Sequence, residues 1–149
     1  MANSENAPQA VALGGFNKAL NLSFVRTTES EVVAELPITP DHHQPMGIVH
    51  GGVYCAMVET VCSVGAYLAS AAGGYTVVGV DNHTSFLRAQ RTGTLRVTGR
   101  PLVRGRRTQL WEANIENAEG ELVATGRVRL ICPEAGSRIA GETAGMKKP

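Results

Sequence analysis

Between Lys18 and Lys147 the 149-residue chain has no lysine. Aromatic residues are scarce at 5%, with a single tryptophan, and charged residues make up only 18%. The 14 basic and 13 acidic side chains leave a net charge of +1, which argues against wholesale wrapping of nucleic acid by a basic protein. The three cysteines, Cys55, Cys62 and Cys132, form an odd set without CxxC spacing. Neither a disulfide framework nor a zinc knuckle is indicated, and reduced thiols imply a cytoplasmic protein. The opening MANSENAPQA lacks the basic and apolar regions of a secretory signal, and GMKKP carries no targeting motif. His42, His43, His50 and His83 form neither a helical HxxxH pair nor a tight cluster, so no metal site is expected.

What is there reads as one globular domain. Hydrophobic residues reach 43%, and the chain is long enough to bury a core without a metal or disulfide staple. Charge is unevenly spread: residues 1–87 hold Lys18 and Arg26 against seven acids, whereas residues 88–129 hold nine arginines against four glutamates. An anionic partner would approach the second half, where the planar fork of arginine suits phosphate oxygens; a solvated strand face is the plainer alternative.

Residues 1–10 are polar and small, and 133–149 are rich in Gly, Ala and charge without apolar periodicity. Both ends are expected to be mobile around a single domain spanning 11–132. Residues 24–26 and 32–36 read as a hairpin of short strands. Pro37, Pro40 and Pro45 punctuate the loop that follows, where proline geometry disfavours helix. From 51 to 72 runs a proline-free stretch with small side chains on every face, a buried helix. It has the length of a membrane span, but Ala, Ser, Cys and Gly dominate it, Glu59 interrupts it and no basic flank orients it, so no membrane is expected. Residues 76–132 read as four strands of about ten residues, with Leu95 and Val97, then Trp111, Ala113 and Ile115, alternating with polar neighbours. Glycine-bearing hairpin turns are expected at 91–93 and 118–120. The result is an α+β fold, one long helix wrapped by a predominantly antiparallel sheet of about six strands.

Glu59 is the outlier of the helix, flanked by Val58 and Val61. A buried unpaired carboxylate costs several kcal/mol in order-of-magnitude terms, so it serves either a cleft or an ion pair with a later arginine. Ser63, four residues on, shares its face, and Gly52, Cys55 and Ala56 extend that face toward the helix start with little bulk. At Val49-His50-Gly51-Gly52 the helix begins with unpaired N–H groups and a partial positive charge, a ready site for an oxyanion. Cys55 and Cys62, a heptad apart, are expected in the core rather than as nucleophiles, and Trp111 as a core anchor.

The segment QPMGIVHGGVYCAMVETVCS, residues 44–63, resembles the signature of the hotdog-fold acyl-CoA thioesterases, particularly the 4-hydroxybenzoyl-CoA and phenylacetate-pathway type. NHTSFLRAQRTG, residues 82–93, is similar to the strand after the helix in that family, and the likeness covers about 20–132. The resemblance implies a site of Gln44, Gly51, Glu59 and Ser63, with His50 and Gly52 at the turn. It implies Glu59 as general base or nucleophile, the Gly51 N–H as oxyanion donor with Gln44 beside it, and no cofactor beyond the coenzyme A of the substrate. It also implies a homodimer, commonly paired into a tetramer, with Gln44 and Gly51 of one subunit facing Glu59 and Ser63 of the other. Arg88, Arg104, Arg106 and Arg107 fall where such proteins contact the nucleotide. A non-catalytic acyl-CoA binding protein is the alternative; a dehydratase or hydratase would need a His-acid pair, which is not apparent.

Overall fold

The computed structural model describes residues 14–145, so the N-terminal segment expected to be mobile lies outside the described residues. In chain order the elements are α1 (Gly15–Ala19), β1 (Ser23–Thr27), β2 (Val32–Pro37), a 3-10 turn (Pro40–His42), α2 (Gly51–Ala71), β3 (Val78–Phe86), β4 (Thr94–Arg104), β5 (Thr108–Glu116) and β6 (Leu122–Ile131), followed by β7 (Arg138–Ile139) and β8 (Glu142–Thr143). The first six strands form one sheet in the order β1-β2-β4-β5-β6-β3, antiparallel throughout. Helix α2 packs against β2 through β6. The expected α+β architecture, one long helix against six strands, is the one observed.

Alternation explains the sheet. Along β5, Gln109, Trp111, Ala113 and Ile115 are buried, and along β4, Leu95, Val97 and Gly99 are buried while Arg96 and Arg100 are exposed. From the other side α2 presents Met57, Val58, Val61, Cys62 and Ala66, all fully buried, so its apolar run is core. Small residues set the spacing. A Cβ on Gly65 would lie 2.4 Å from the Trp111 ring, so glycine is what allows the largest core side chain to lie against the helix backbone. Trp111 then donates its indole N–H to Gln109 Oε1 at 2.7 Å, and Gln109 Nε2 donates to Ser70 Oγ at 2.7 Å. Cys62 behaves as a packing residue, and burial, followed by the nearby Glu59 and Glu112 charges, pushes its thiol far above the ordinary range; Cys55, also expected in the core, is only half-buried and lies outside the core cluster.

Two features depart from the sequence reading. Residues 91–93 are not a hairpin turn. β3 pairs with β6 at one edge of the sheet while β4 lies between β2 and β5, so the segment after β3 crosses past β6 and β5 to reach β4. Local turn chemistry cannot reveal which strand a neighbour in sequence will pair with. The hairpin that joins β4 to β5 lies at 105–107, with Arg104 opposite Gln109, and the turn at 118–120 is as expected, Gly120 taking φ 77° between β5 and β6. Residues 138–143 carry the β7–β8 ladder, and Tyr75 bridges to Glu134, so part of the tail beyond 132 has regular structure that its composition does not announce.

Tyr54 is 97% removed from solvent, its ring 5.7 Å from that of Phe86, yet among the described residues its hydroxyl has no hydrogen-bond partner. Burial raises the phenol's pKa, and leaving a buried hydroxyl unpaired costs about 1–3 kcal/mol. Tyr54→Phe removes the group and nothing else. We expect the urea midpoint to rise, by an amount equivalent to about 1 kcal/mol; a fall would show that the hydroxyl has an acceptor.

Candidate active site

The start of α2 is shaped by a strapped loop. His42 is buried, accepts the Thr39 N–H at Nδ1 (3.0 Å) and therefore carries its proton on Nε2, which donates to Leu20 O at 2.8 Å. Arg91 Nη1 donates to Met46 O and Gly47 O at 2.8 and 3.0 Å, and the Val49 N–H donates to Gln90 O at 2.8 Å. These bonds tie 42–49 to the crossover after β3. Within the loop Gln44 Oε1 accepts from the Met46 N–H, which leaves its NH2 end for what lies beyond.

His50 then caps the helix, its Nδ1 accepting the Gly52 N–H at 2.8 Å. The Gly51 N–H meets no acceptor among the described residues, as expected of a first helical residue. A Cβ on Gly51 would stand 2.4 Å from the Phe86 ring, so a larger residue here would displace that ring where β3 ends against the helix. Gln44, Gly51, Tyr54, Phe86 and Arg88 line a cavity of about 320 Å³, enough for the reacting end of a small ligand.

Glu59 lies farther along α2, half-buried, and is not paired with any arginine among the described residues. Ser63 Oγ donates to its Oε1 at 3.0 Å, as their spacing of one helical turn anticipates. Its other oxygen accepts from Asn82 Nδ2, also at 3.0 Å, and the same amide nitrogen reaches Cys55 O at 3.1 Å. A Cβ on Gly79 would lie 2.4 Å from Glu59 Oε1, so β3 leaves room for the carboxylate as well as holding it. Sequence reasoning missed Asn82 and Gly79. The available signal was the run Asp-Asn-His-Thr-Ser at 81–85, polar on both faces of a strand that crosses an apolar helix.

The structure therefore forms two clusters, Gln44 with Gly51 and Glu59 with Ser63, and does not merge them in one chain. Eight residues of helix separate Gly51 from Glu59, about 12 Å along the axis, too far for both to act on one carbonyl carbon. The arginines also divide. Arg88 belongs to the Gln44–Gly51 cavity and lies 3.8 Å from Glu121, whereas Arg106 and Arg107 line a second cavity of about 470 Å³ with Tyr75 and Cys132 beyond the C-terminal end of α2. Arg104 donates to Glu29 O at 3.2 Å. Among the described residues no group of three or more His, Cys, Asp or Glu side chains is placed to hold a metal ion.

Comparison with known proteins gives this geometry a context. The family described as Thioesterase superfamily matches residues 46–124, which include the whole of α2, all of β3 and most of the sheet. The Mycobacterium tuberculosis protein Rv1847 is 43% identical over 122 residues, covering 80% of this chain and 87% of its own, and its solved structure superposes with a TM-score of 0.79. The proofreading thioesterase EntH of Cronobacter turicensis is 33% identical, covering 82% of this chain and 88% of its own. The 1,4-dihydroxy-2-naphthoyl-CoA hydrolase of Escherichia coli is 30% identical, with coverage of 82% and 89%.

Proposed function

The chain belongs to the thioesterase superfamily, with the hotdog fold, and is a thioester hydrolase; from that premise we propose that it cleaves an acyl-CoA thioester into the free acid and coenzyme A. The observation that carries the proposal is the Glu59 carboxylate, held ready by Ser63 and Asn82 on an otherwise apolar helix. Water is a poor nucleophile, so hydrolysis needs a carboxylate to take its proton or to attack the acyl carbon. Glu59 fills one of these two roles. The Gly51 N–H, with the helix dipole behind it, stabilises the developing oxyanion, by about 3 kcal/mol judged from the loss of a comparable donor. The Gln44 amide adds a second donor. The thiolate leaves without obligatory protonation because thiols are far more acidic than alcohols.

In this proposal the two clusters meet across a homodimer. β3 is an edge strand of nine residues, exposed along most of its length, whose outer row of backbone groups pairs with no strand among the described residues. A two-fold axis pairs such an edge with its own copy in antiparallel sense. With the axis near the strand centre at Asn82, Gly79 of the partner subunit stands opposite Ser85, and Glu59 of the partner subunit arrives beside the Phe86–Gly51 end. The same antiparallel, two-fold arrangement brings Arg106 and Arg107 of the partner subunit toward the cavity that holds Arg88, where they serve the nucleotide. Dimers of this kind are proposed to associate further into tetramers.

A panel of aromatic, short-chain and medium-chain acyl-CoA thioesters, assayed for free thiol, tests the reading. Release from at least one class supports it; tight binding without release from any would make the protein an acyl-CoA binder. The name of the Escherichia coli relative describes an aryl-CoA hydrolase, which favours the aromatic members, as does the likeness of residues 44–63 to the 4-hydroxybenzoyl-CoA type.

The arginines give a separate prediction. Arg106→Glu or Arg107→Glu should raise KM for acyl-CoA and leave kcat nearly unchanged, because phosphate contacts far from the carbonyl are made equally in ground and transition states. A pantetheine thioester, lacking the nucleotide, should not respond. Equal sensitivity of both substrates would return these arginines to an ordinary solvated face.

A further inference from the structure

We infer that Asn82 is a positioning residue that fixes the plane of the Glu59 carboxylate, and that the bulge in β3 serves to bring it there. The inference rests on the reading of Glu59 as the reacting carboxylate. Side chains alternate across a strand, so residues 79 and 82, three apart, would face opposite sides of a regular β3. Both face α2: a Cβ on Gly79 would touch Glu59 Oε1, and the Asn82 amide reaches Glu59 Oε2. The register shift against β6 between Gly79 and Asp81 supplies the extra residue that resets the alternation. One residue thus clears the space for the carboxylate while the other fills its far side with a donor.

Asn82 is itself held. Its Oδ1 accepts from Thr84 Oγ1 at 2.7 Å, which turns the NH2 group toward Glu59 and Cys55 O. A neutral amide donor favours the charged form of a carboxylate while bringing no charge or transferable proton of its own. With Ser63 on one oxygen and Asn82 on the other, each oxygen is fixed by a single donor. A carboxylate offers about four lone-pair sites, so each oxygen keeps one for water or for the acyl carbon.

The other titratable groups around Glu59 are few. Cys55 and Cys62 lie on α2 itself. On β3, Asp81 and His83 flank Asn82 and so project to the opposite face, where Asp81 lies 3.3 Å from Arg129 of β6. Glu112 of β5, whose charge also acts on the Cys62 thiol, lies 3.7 Å from Arg127.

Titration by NMR of the full chain, with its glutamate carboxyl carbons labelled with ¹³C, tests the inference without any turnover. The Glu59 signal is identified by its loss in Glu59→Gln. In the unaltered protein the Asn82 side-chain amide should shift with the same midpoint as Glu59; an amide blind to that titration overturns the assignment. In Asn82→Asp two carboxylates share the site, so the Glu59 midpoint should rise by about one pH unit or more, and the acid limb of kcat/KM should rise with it while the limiting KM stays put. A folded Asn82→Asp protein with an unmoved Glu59 midpoint overturns the proposal. A moved midpoint in a chain that releases thiol from no acyl-CoA would leave the positioning role standing and overturn only the functional reading on which it was built.

Discussion

Glu59→Ala should lower kcat for acyl-CoA hydrolysis by about two orders of magnitude or more while leaving the fold intact, because no other group at its position can take a proton or attack the acyl carbon. The fold should tolerate the change. Glu59 is half-buried rather than enclosed, its partner Ser63 is half-buried on α2 and Asn82 is exposed on the edge strand β3, so water can replace the carboxylate, and alanine is the best helix former. Glu59→Gln is the stricter variant: it keeps the shape, and its one oxygen can accept from Asn82 while its NH2 donates to the Ser63 hydroxyl, but it has neither the basicity nor the negative charge. Both should be similarly inactive, with KM for acyl-CoA close to wild type, the pattern expected when an interaction made only in the transition state is lost. Ser63→Ala should lose less, since Asn82 still holds one oxygen and water can replace the hydroxyl. Measured on proteins whose melting temperatures match wild type, activity retained in Glu59→Ala would remove Glu59 from the chemistry, and a larger loss in Ser63→Ala would reverse the two roles.

The fold was legible where the chain obeys a local period. Alternation at Leu95, Val97, Trp111, Ala113 and Ile115 marks β4 and β5, and the uninterrupted small and apolar run at 51–72 marks α2, because in both cases the pattern is written by burial on one face. The site was legible in the same measure. Glu59 stands out as a charge on an apolar helix, Ser63 follows by helical spacing, and Gly51 follows from the paired glycines at the helix start. Asn82 does not. Its contact with Glu59 spans 23 residues of sequence and depends on the bulge that sets the face of β3, and neither long-range pairing nor a bulge leaves a period to read. The crossover at 87–93 was misread for a related reason. Gly93 does take a positive φ of 95°, so a turn residue is where the sequence places it, but which strand lies beyond the turn is decided by the sheet as a whole.

Mixing two inactive proteins should restore activity. Gln44→Ala removes a donor from the cavity that contains Gly51, and Glu59→Ala removes the carboxylate from the cluster that contains Ser63; the two lie in separate parts of one chain, about 12 Å apart along α2 from Gly51 to Glu59. If each active site draws one cluster from each protomer, a mixed dimer carries one site with both defects and one with neither. Equal amounts of the two variants, after full subunit exchange, give mixed dimers in about half of the population, so about a quarter of all sites are restored. Neither parent alone should exceed a few per cent of wild-type activity, since losing an oxyanion donor costs roughly a hundredfold or more and losing the carboxylate at least as much. Exchange is followed independently by mass spectrometry of differently tagged chains. Complete exchange without recovery would place both clusters at a site within one protomer, and the 12 Å between them would then have to be closed by a movement of the loop at 42–49 rather than by a second subunit. Recovery near a quarter, absent when either variant is mixed with itself, is the outcome that the edge-to-edge pairing of β3 requires.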